Sequence, residues 1–162
     1  MLKKNLVIYH SVQGNTERVA KVISEELNCD LIKINEKDKM NSNLPLSSVK
    51  IIRQLVNNDQ FKSRIEEIDF SQYKRIYIGG PCWAYTYSPA VGQFLKEANY
   101  KDKEIVFFIT HGGDFGKSFE KFKAAMDGGK FIGGMDFYMV NKMQEHEVRD
   151  QVKIQLNKLN LL

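Results

Sequence analysis

The chain has 162 residues, 43% hydrophobic and 27% charged, a composition typical of one globular domain that buries a full core without structural metal. Its two cysteines, Cys29 and Cys82, form no Cys-x-x-Cys pair, which argues against a zinc site and against a secreted disulfide scaffold. The net charge, 24 − 20 = +4, is scattered among acidic residues, so no basic stripe points to nucleic acid binding.

Short apolar runs along the chain predict five β-strands. Residues 6–9, 75–78 and 104–110 have the continuous apolar character of strands that are buried on both faces of a parallel sheet. Residues 30–34 form a shorter, more alternating run, as expected for an edge strand, and the last strand is predicted at about 135–140. We expect Gly79-Gly80-Pro81 to end the third strand and Gly112-Gly113 to end the fourth.

Apolar residues at helical spacing predict a helix after each strand. The first helix is expected to begin at Thr16, the second near Pro45 and the third at Pro89, where proline suits a first helical turn. The apolar helix faces are Val19, Ile23 and Leu27; Val49, Ile52 and Val56; Val91, Phe94, Leu95 and Ala98; Phe119 and Phe122; and Val148, Val152, Leu156 and Leu159. Alternating strands and helices predict an α/β fold, an open, doubly wound parallel sheet with right-handed crossovers and helices on both faces.

The sequence gives no sign of export or membrane insertion. No apolar run approaches the ~20 residues that span a bilayer. The apolar start, residues 6–9, is too short for the core of a signal peptide. We therefore expect a cytoplasmic protein of one domain, residues 1–162, without a membrane span.

Ligands of open α/β sheets bind at the carboxyl ends of the strands, and three loops are predicted there. Loop 1, residues 10–16, reads His-Ser-Val-Gln-Gly-Asn-Thr. Gly14 allows close approach, and backbone N–H groups, the Ser11 and Thr16 hydroxyls and a helix N-terminus can hold an anion. Without lysine or arginine, the loop favours a phosphate monoester held by neutral hydrogen bonds. A simple helix cap at Asn15 or Thr16 is the alternative, and a dinucleotide Gly-x-Gly-x-x-Gly is absent.

Loop 2, residues 79–85, reads Gly-Gly-Pro-Cys-Trp-Ala-Tyr. It places Trp83, the only tryptophan, beside Tyr85 at the predicted tip of the sheet. Exposed rings favour a flat ligand that stacks on them, although a loop tryptophan taken alone more often packs against its own domain. Cys82 is interpreted as a reduced packing cysteine rather than a reactive thiol.

Loop 3, residues 110–116, reads Thr-His-Gly-Gly-Asp-Phe-Gly, and its glycines allow the backbone to form a wall against a flat ligand. His111 and Asp114 can hydrogen-bond or charge the rim of that wall. The following Gly116-Lys117-Ser118 resembles the end of a nucleoside triphosphate loop. That motif requires glycine at position 111, where this chain has histidine, so the spacing excludes it.

Together the three loops resemble those of the flavodoxin family. Residues 11–16, Ser-Val-Gln-Gly-Asn-Thr, are similar to that family's FMN phosphate loop, commonly Ser/Thr-x-Thr/x-Gly-Asn-Thr. Loops 2 and 3 resemble the two loops that enclose the isoalloxazine ring. The resemblance covers nearly the whole chain, is weakest at residues 36–72, and is to the short-chain branch, because the last strand has no long interruption.

The resemblance implies five parallel strands in the order 2-1-3-4-5 and noncovalently bound FMN. It implies that Trp83 stacks on the flavin ring and that backbone at residues 79–82 approaches its redox-active edge. By position, the phosphate would be bound by Ser11, Gln13, Gly14, Asn15 and Thr16. The ring would be lined by Pro81, Cys82, Trp83, Ala84, Tyr85, Thr110, His111, Gly112, Gly113, Asp114 and Phe115.

Two features depart from the family's electron carriers. Those proteins are strongly acidic, and they often carry a large aromatic residue in loop 3 where this chain has Gly113. We expect electron transfer through FMN to a redox partner protein or a small acceptor such as a quinone. An NAD(P)H-dependent flavin or quinone reductase with an open flavin face is the alternative. A phosphoryl-accepting receiver would need paired acidic residues where His10 and Ser11 stand, and the sequence offers no metal-ligand spacing or Ser-His-Asp set.

Overall fold

The structure, a computed structural model, describes residues 4–34 and 68–162. Alternating strands and helices make up these two segments. The strands are β1 (Lys4–Tyr9), β2 (Asp30–Lys33), β3 (Tyr73–Trp83), β4 (Thr86–Tyr87), β5 (Glu104–His111) and β6 (Lys130–Tyr138). The helices are α1 (Asn15–Glu26), α2 (Pro89–Glu97), α3 (Ser118–Ala125) and α4 (Glu145–Lys158), with short 3-10 turns at Phe70–Gln72 and Val140–Lys142. The helix predicted after Pro45 lies outside the described residues.

The sheet is a doubly wound parallel sheet. Its strands lie in the order β2-β1-β3-β5-β6, and the two-residue strand β4 pairs antiparallel with the end of β3. Counting only the parallel strands, this order is 2-1-3-4-5, which confirms the predicted fold and places β2 at an edge. Strand β4 was not predicted, because two residues are too few to produce an apolar pattern.

Two apolar cores lie on opposite faces of the sheet because successive residues of a strand point to opposite sides. In β1, Leu6 and Ile8 belong to one core, whereas Val7 and Tyr9 belong to the other. The first core is covered by α2 and α3 through Val91, Phe94, Leu95 and Phe122. The second is covered by α1 and α4 through Val19, Ile23, Val148, Val152 and Leu156.

The predicted break of the third strand at residues 79–81 is wrong, because β3 continues to Trp83. The two glycines there permit close packing instead of ending the strand. A Cβ on Gly79 would lie 2.0 Å from the ring of Phe108, and one on Gly80 would lie 2.8 Å from the side chain of Val91. Both positions therefore need glycine while the backbone keeps its parallel pairing with β5.

The last strand begins at Lys130 and ends at Tyr138, earlier than the predicted 135–140. Gly133 and Gly134 lie inside β6 and interrupt its apolar pattern, so the sequence does not predict the first part of this strand. Cβ atoms there would lie 2.6 Å from the side chain of Leu159 and 2.8 Å from the ring of Phe119. Large neighbours fill the space that the side chains of this strand would otherwise occupy.

Arg75 and Glu104 form an ion pair at the amino ends of β3 and β5, the edge opposite the three loops. The Arg75 Nε and Nη2 groups donate to Glu104 Oε2 at 2.9 and 2.7 Å. Both side chains are partly buried, with exposed fractions of 20% and 22%. The hydrogen bond from Arg75 holds the pKa of Glu104 below its ordinary value of 4.5.

Candidate functional site

The three loops follow three neighbouring strands at the carboxyl edge of the sheet. Loop 1 follows β1, loop 2 contains the end of β3, and loop 3 follows β5. The direction of winding reverses between β1 and β3, and the crevice at such a reversal is where open α/β sheets bind ligands. Residues 10–16, 79–85 and 110–116, predicted from separate motifs, are thus assembled along one edge.

Loop 1 forms a tight backbone turn before α1. The Gly14 N–H donates to Ser11 Oγ at 3.1 Å, which fixes the turn. Gly14 is the N-cap of α1, with φ of +86°, and a Cβ placed there meets nothing within 4 Å. Neither Asn15 nor Thr16 caps the helix with its side chain, so the capping alternative is wrong.

The first turn of α1 directs unpaired N–H groups toward loop 1, since the first N–H groups of a helix have no intrahelical acceptor. The one acidic residue of this turn, Glu17, is neutralised by Lys21 at 2.9 Å and Lys33 at 3.0 Å. Hydrogen bonds from Lys21 and then Lys33 lower the pKa of Glu17 below its ordinary value. The positive end of the helix therefore faces loop 1 without a competing unpaired carboxylate.

Loop 1 is connected to both other loops by buried side chains. The Thr16 and Thr110 hydroxyls lie 2.7 Å apart, joining the start of α1 to the end of β5. His10 Nδ1 lies 3.0 Å from Ser88 Oγ, and the His10 ring meets Trp83 edge-to-face with centroids 5.9 Å apart. Ser88 is the N-cap of α2, so His10 links loop 1 to the segment that follows loop 2.

The expectation that Trp83 is an exposed ring is wrong. The residue is only 7% exposed, because its ring packs against His10. Tyr85 is the exposed aromatic residue of loop 2, at 58%. Trp83 is the last residue of β3, whereas Tyr85 lies in the turn that follows, and composition alone did not distinguish these two rings.

Ala84 and Tyr85 form the two-residue turn of a hairpin between β3 and β4. Their φ angles are +49° and +61°, and the pairs Cys82–Tyr87 and Trp83–Thr86 close the hairpin. Positive φ at both central positions matches a type I′ turn, which favours asparagine and glycine. Each non-glycine residue in this conformation costs about 1–3 kcal/mol, and such strain clusters at functional sites.

Two residues outside loop 2 contact this turn. The Lys121 Nζ group of α3 donates to the Tyr85 carbonyl oxygen at 3.0 Å. Gly116 lies beneath the Tyr85 side chain, since a Cβ at Gly116 would be 2.9 Å from Tyr85 Cβ. Loop 2 and the beginning of α3 are therefore packed together.

Loop 3 is held by hydrogen bonds from its own side chains. His111 Nδ1 contacts the Gly113 carbonyl oxygen at 2.5 Å, and Asp114 Oδ1 accepts from the Gly116 N–H at 2.7 Å. His111 Nε2 lies 3.4 Å from Asp136 Oδ2 of β6. Gly112 and Gly113 are exposed, and a Cβ on Gly113 meets open space.

Aromatic rings surround His111 at the mouth of the site. Phe115 lies 4.9 Å and Tyr138 lies 5.5 Å from the His111 ring, measured between centroids. Tyr138 is 54% exposed, so with Tyr85 it offers an uncovered aromatic surface at this edge.

Four residues near the site were missed by sequence analysis: Ser88, Lys121, Asp136 and Tyr138. Ser88 follows loop 2 as a helix cap before Pro89, a local signal that was available. Lys121, Asp136 and Tyr138 approach from α3 and β6, and their proximity depends on the tertiary fold.

In the described residues, the cysteines and charged groups do not form a second candidate site. Both cysteines are free, and Cys82 Sγ lies 3.8 Å from Ser118 Oγ. Burial raises the pKa of the Cys29 thiol to about 11, so that thiol is a poor nucleophile.

Within the segments 4–34 and 68–162, no group of three or more His, Cys, Asp or Glu is arranged to hold a metal ion. Among the described helices, none has the length and apolarity to cross a bilayer.

The fold and its carboxyl edge define a class of doubly wound α/β proteins with a loop free of lysine and arginine at the switch point. The sequence profile of the family called Flavodoxin matches residues 4–156, nearly the whole chain. The protein belongs to the flavodoxin family, and the predicted resemblance to that family is confirmed. No curated protein sequence matches the chain significantly.

Solved structures share this fold at low sequence identity. A candidate flavoprotein from Bacteroides uniformis is 19% identical with a TM-score of 0.77, over 93% of this chain and 97% of that chain. A Lactobacillus acidophilus flavoprotein in complex with FMN is 24% identical with a TM-score of 0.70, over 83% and 93%. Oxidised flavodoxin 2 from Bacillus cereus is 16% identical with a TM-score of 0.58, over 96% and 99%. These likenesses establish the fold.

Proposed function

We propose that this protein binds one FMN noncovalently at the carboxyl edge of its sheet and transfers electrons through it. The observation that carries the proposal is the open, uncharged cradle of loop 1, adjacent to loops 2 and 3 on one sheet edge. Family membership over residues 4–156 supports the same cofactor, and a relative of the same fold was solved in complex with FMN.

The residues of loop 1 fit a phosphate monoester. Space above Gly14 admits the anion, and the N–H groups of the first turn of α1 provide donors. Thr16 can accept a hydrogen bond from Thr110 and donate its own proton to phosphate, because a hydroxyl has one donor and two lone pairs. Ser11 accepts from the Gly14 N–H and can donate in the same way. Gln13 is exposed and Asn15 begins α1, so both stand at the rim.

Loops 2 and 3 would hold the isoalloxazine ring. Pro81, Cys82 and the Ala84–Tyr85 turn stand on one side, with Trp83 buried behind them. Backbone of Gly112 and Gly113 stands on the other, where the hydrogen bond that the Gly113 carbonyl oxygen accepts from His111 Nδ1 fixes the direction of the peptide. Thr110, Asp114 and Phe115 are also proposed to contact the ring. Exposed backbone amides at such an edge can pair with the polar rim of a flavin.

Bound FMN would supply the redox chemistry, accepting and releasing electrons. The residues of this chain bind the phosphate, orient the ring and exclude water from one ring face. The redox partner is proposed to be another protein or a small acceptor such as a quinone.

The identity of the cofactor is tested by purifying the protein, recording its visible absorbance, and identifying the released flavin by chromatography. We expect a flavin spectrum and FMN as the released compound. Release of FAD, or of riboflavin without phosphate, would contradict the role of loop 1. Reconstitution of a flavin-free preparation with each compound provides the control for loss during purification.

A second function, reduction of flavins or quinones by NAD(P)H, is favoured by one observation. Gly113 carries no side chain over the outer side of the site, and the space above it is open. A planar nicotinamide or quinone would then have access to the flavin. Steady-state oxidation of NAD(P)H with a quinone separates the two functions, because an electron carrier without its reductase turns over slowly.

A further inference from the structure

We propose that Lys121 is a positioning residue that holds Tyr85 as the aromatic wall of the flavin site, the place that the sequence had assigned to Trp83. The inference rests on the proposed function, since it concerns the ring part of the same site. Lys121 lies on α3, outside the three loops, and its Nζ group donates a hydrogen bond to the Tyr85 carbonyl oxygen.

Trp83 does not offer a ring face to a ligand. It is 7% exposed, and the edge-to-face contact with His10 occupies its side. Loop 3 offers no aromatic side chain at Gly113, where a Cβ would meet open space. Of the rings in loop 2, Tyr85 alone is both largely exposed and at the outermost point of the hairpin.

The conformation that presents Tyr85 is one that the residue does not favour. Ala84 and Tyr85 both have positive φ, a region that non-glycine residues seldom occupy. A turn in this strained conformation is stable only where contacts with neighbouring residues hold it in place. Two hairpin pairs hold its strand ends, but they leave the turn's own carbonyl groups without a ladder partner.

Lys121 and Gly116 provide the remaining support. The ammonium group donates to the Tyr85 carbonyl oxygen at 3.0 Å, and the Tyr85 side chain rests over Gly116. Tyr87, the last residue of β4, also packs edge-to-face on Phe122, the neighbour of Lys121 in α3. Lys121 of α3 therefore supports the backbone of the turn, and Gly116, just before α3, supports the Tyr85 side chain.

The test compares flavin binding by four variants of the flavin-free protein, followed by fluorescence. Lys121→Met removes the hydrogen bond, and Lys121→Arg retains a donor. Lys123→Met is the matched control, because Lys123 is an exposed lysine of the same helix whose side chain pairs with no described residue. Gly116→Ala displaces Tyr85 without a change of charge.

We expect Lys121→Met to weaken binding of FMN and of riboflavin by the same factor, about five- to tenfold, the equivalent of one ordinary solvent-exposed hydrogen bond. Inorganic phosphate binding should be unchanged. Lys121→Arg should recover most of the loss, Gly116→Ala should reproduce it, and Lys123→Met should bind as the wild type does.

Equal flavin binding by Lys121→Met and wild type would overturn the inference, as would an equal loss in Lys123→Met. A loss for FMN with none for riboflavin would also overturn it, since the effect would then lie at the phosphate. If the wild-type protein binds no flavin, the proposed function itself fails, which distinguishes the two claims. Amide exchange of residues 83–87 in the flavin-free protein gives an independent readout, with faster exchange expected in Lys121→Met.

Discussion

The side-chain hydroxyls of Thr16 and Thr110 lie 2.7 Å apart in the interior, although 94 positions separate them in the chain. Thr16 belongs to the first turn of α1, and Thr110 belongs to the end of β5. Both residues are buried, so neither hydroxyl has water as a ready substitute for its partner. This contact joins the proposed phosphate cradle to the loop that would hold the flavin ring.

Replacing either threonine by valine should destabilise the protein, because the remaining buried hydroxyl loses its partner. We expect each single variant, Thr16→Val or Thr110→Val, to lose about 1–3 kcal/mol in free energy of unfolding. The double variant should lose clearly less than the sum, since no unpaired hydroxyl remains. Urea unfolding of all four proteins gives the comparison, and strict additivity would show that the two groups do not interact.

Gly14→Ala tests the conformation of loop 1. Alanine is strained at a φ of +86°, so we expect a loss of about 1–2 kcal/mol in stability even though its Cβ meets open space. A methyl group in that space should also obstruct the phosphate. Titrations should therefore show a larger loss of affinity for FMN than for riboflavin. Equal losses for the two flavins would place the phosphate elsewhere.

The stabilities of two glycine variants distinguish a closely packed glycine from one at an open surface. Gly79→Ala drives a methyl group to 2.0 Å from the Phe108 ring inside the core, and we expect a loss of about 3 kcal/mol or failure to fold. Gly113→Ala meets nothing within 4 Å and should change stability by less than about 0.5 kcal/mol. Thermal unfolding measures both, and a stable Gly79→Ala protein would contradict the packing described for β3.

The Arg75–Glu104 pair should make stability depend on pH in the acid range. The folded-state pKa of Glu104 is lowered below 4.5, so the pair stabilises the protein above that pH and loses its contribution as pH falls through the folded-state value. We expect Glu104→Gln to cost about 1 kcal/mol at neutral pH and progressively less below pH 4.5. Exposed Glu120→Gln is the control, and a cost for Glu104→Gln that persists undiminished in acid would contradict this account.

Most of the fold could be predicted because buried parallel strands produce continuous apolar runs. Residues 6–9, 75–78 and 104–110 lie wholly within β1, β3 and β5, and Pro89 opens α2 as expected. The predicted strand boundaries were wrong where glycine permits close packing. Glycine reads as a chain breaker in sequence, but in β3 and β6 it leaves room for the large side chains of neighbouring elements.

The site was predicted as three loops but not in its internal contacts. Order along the chain indicated that the loops share one edge, and local composition indicated the turn at Gly14. The exposure of Tyr85 instead of Trp83 depends on the β4 hairpin, which is too short to be recognised in the sequence. The contact of Lys121 with that hairpin joins α3 to loop 2, a relationship that only tertiary packing determines.

The central claim is that loop 1 holds the phosphate of FMN while loops 2 and 3 hold its ring. The most direct measurement is a fluorescence titration of FMN with the flavin-free protein, which should show saturable quenching at one flavin per chain, with riboflavin bound more weakly. A protein that stays colourless and leaves the fluorescence of added FMN unchanged would contradict the account.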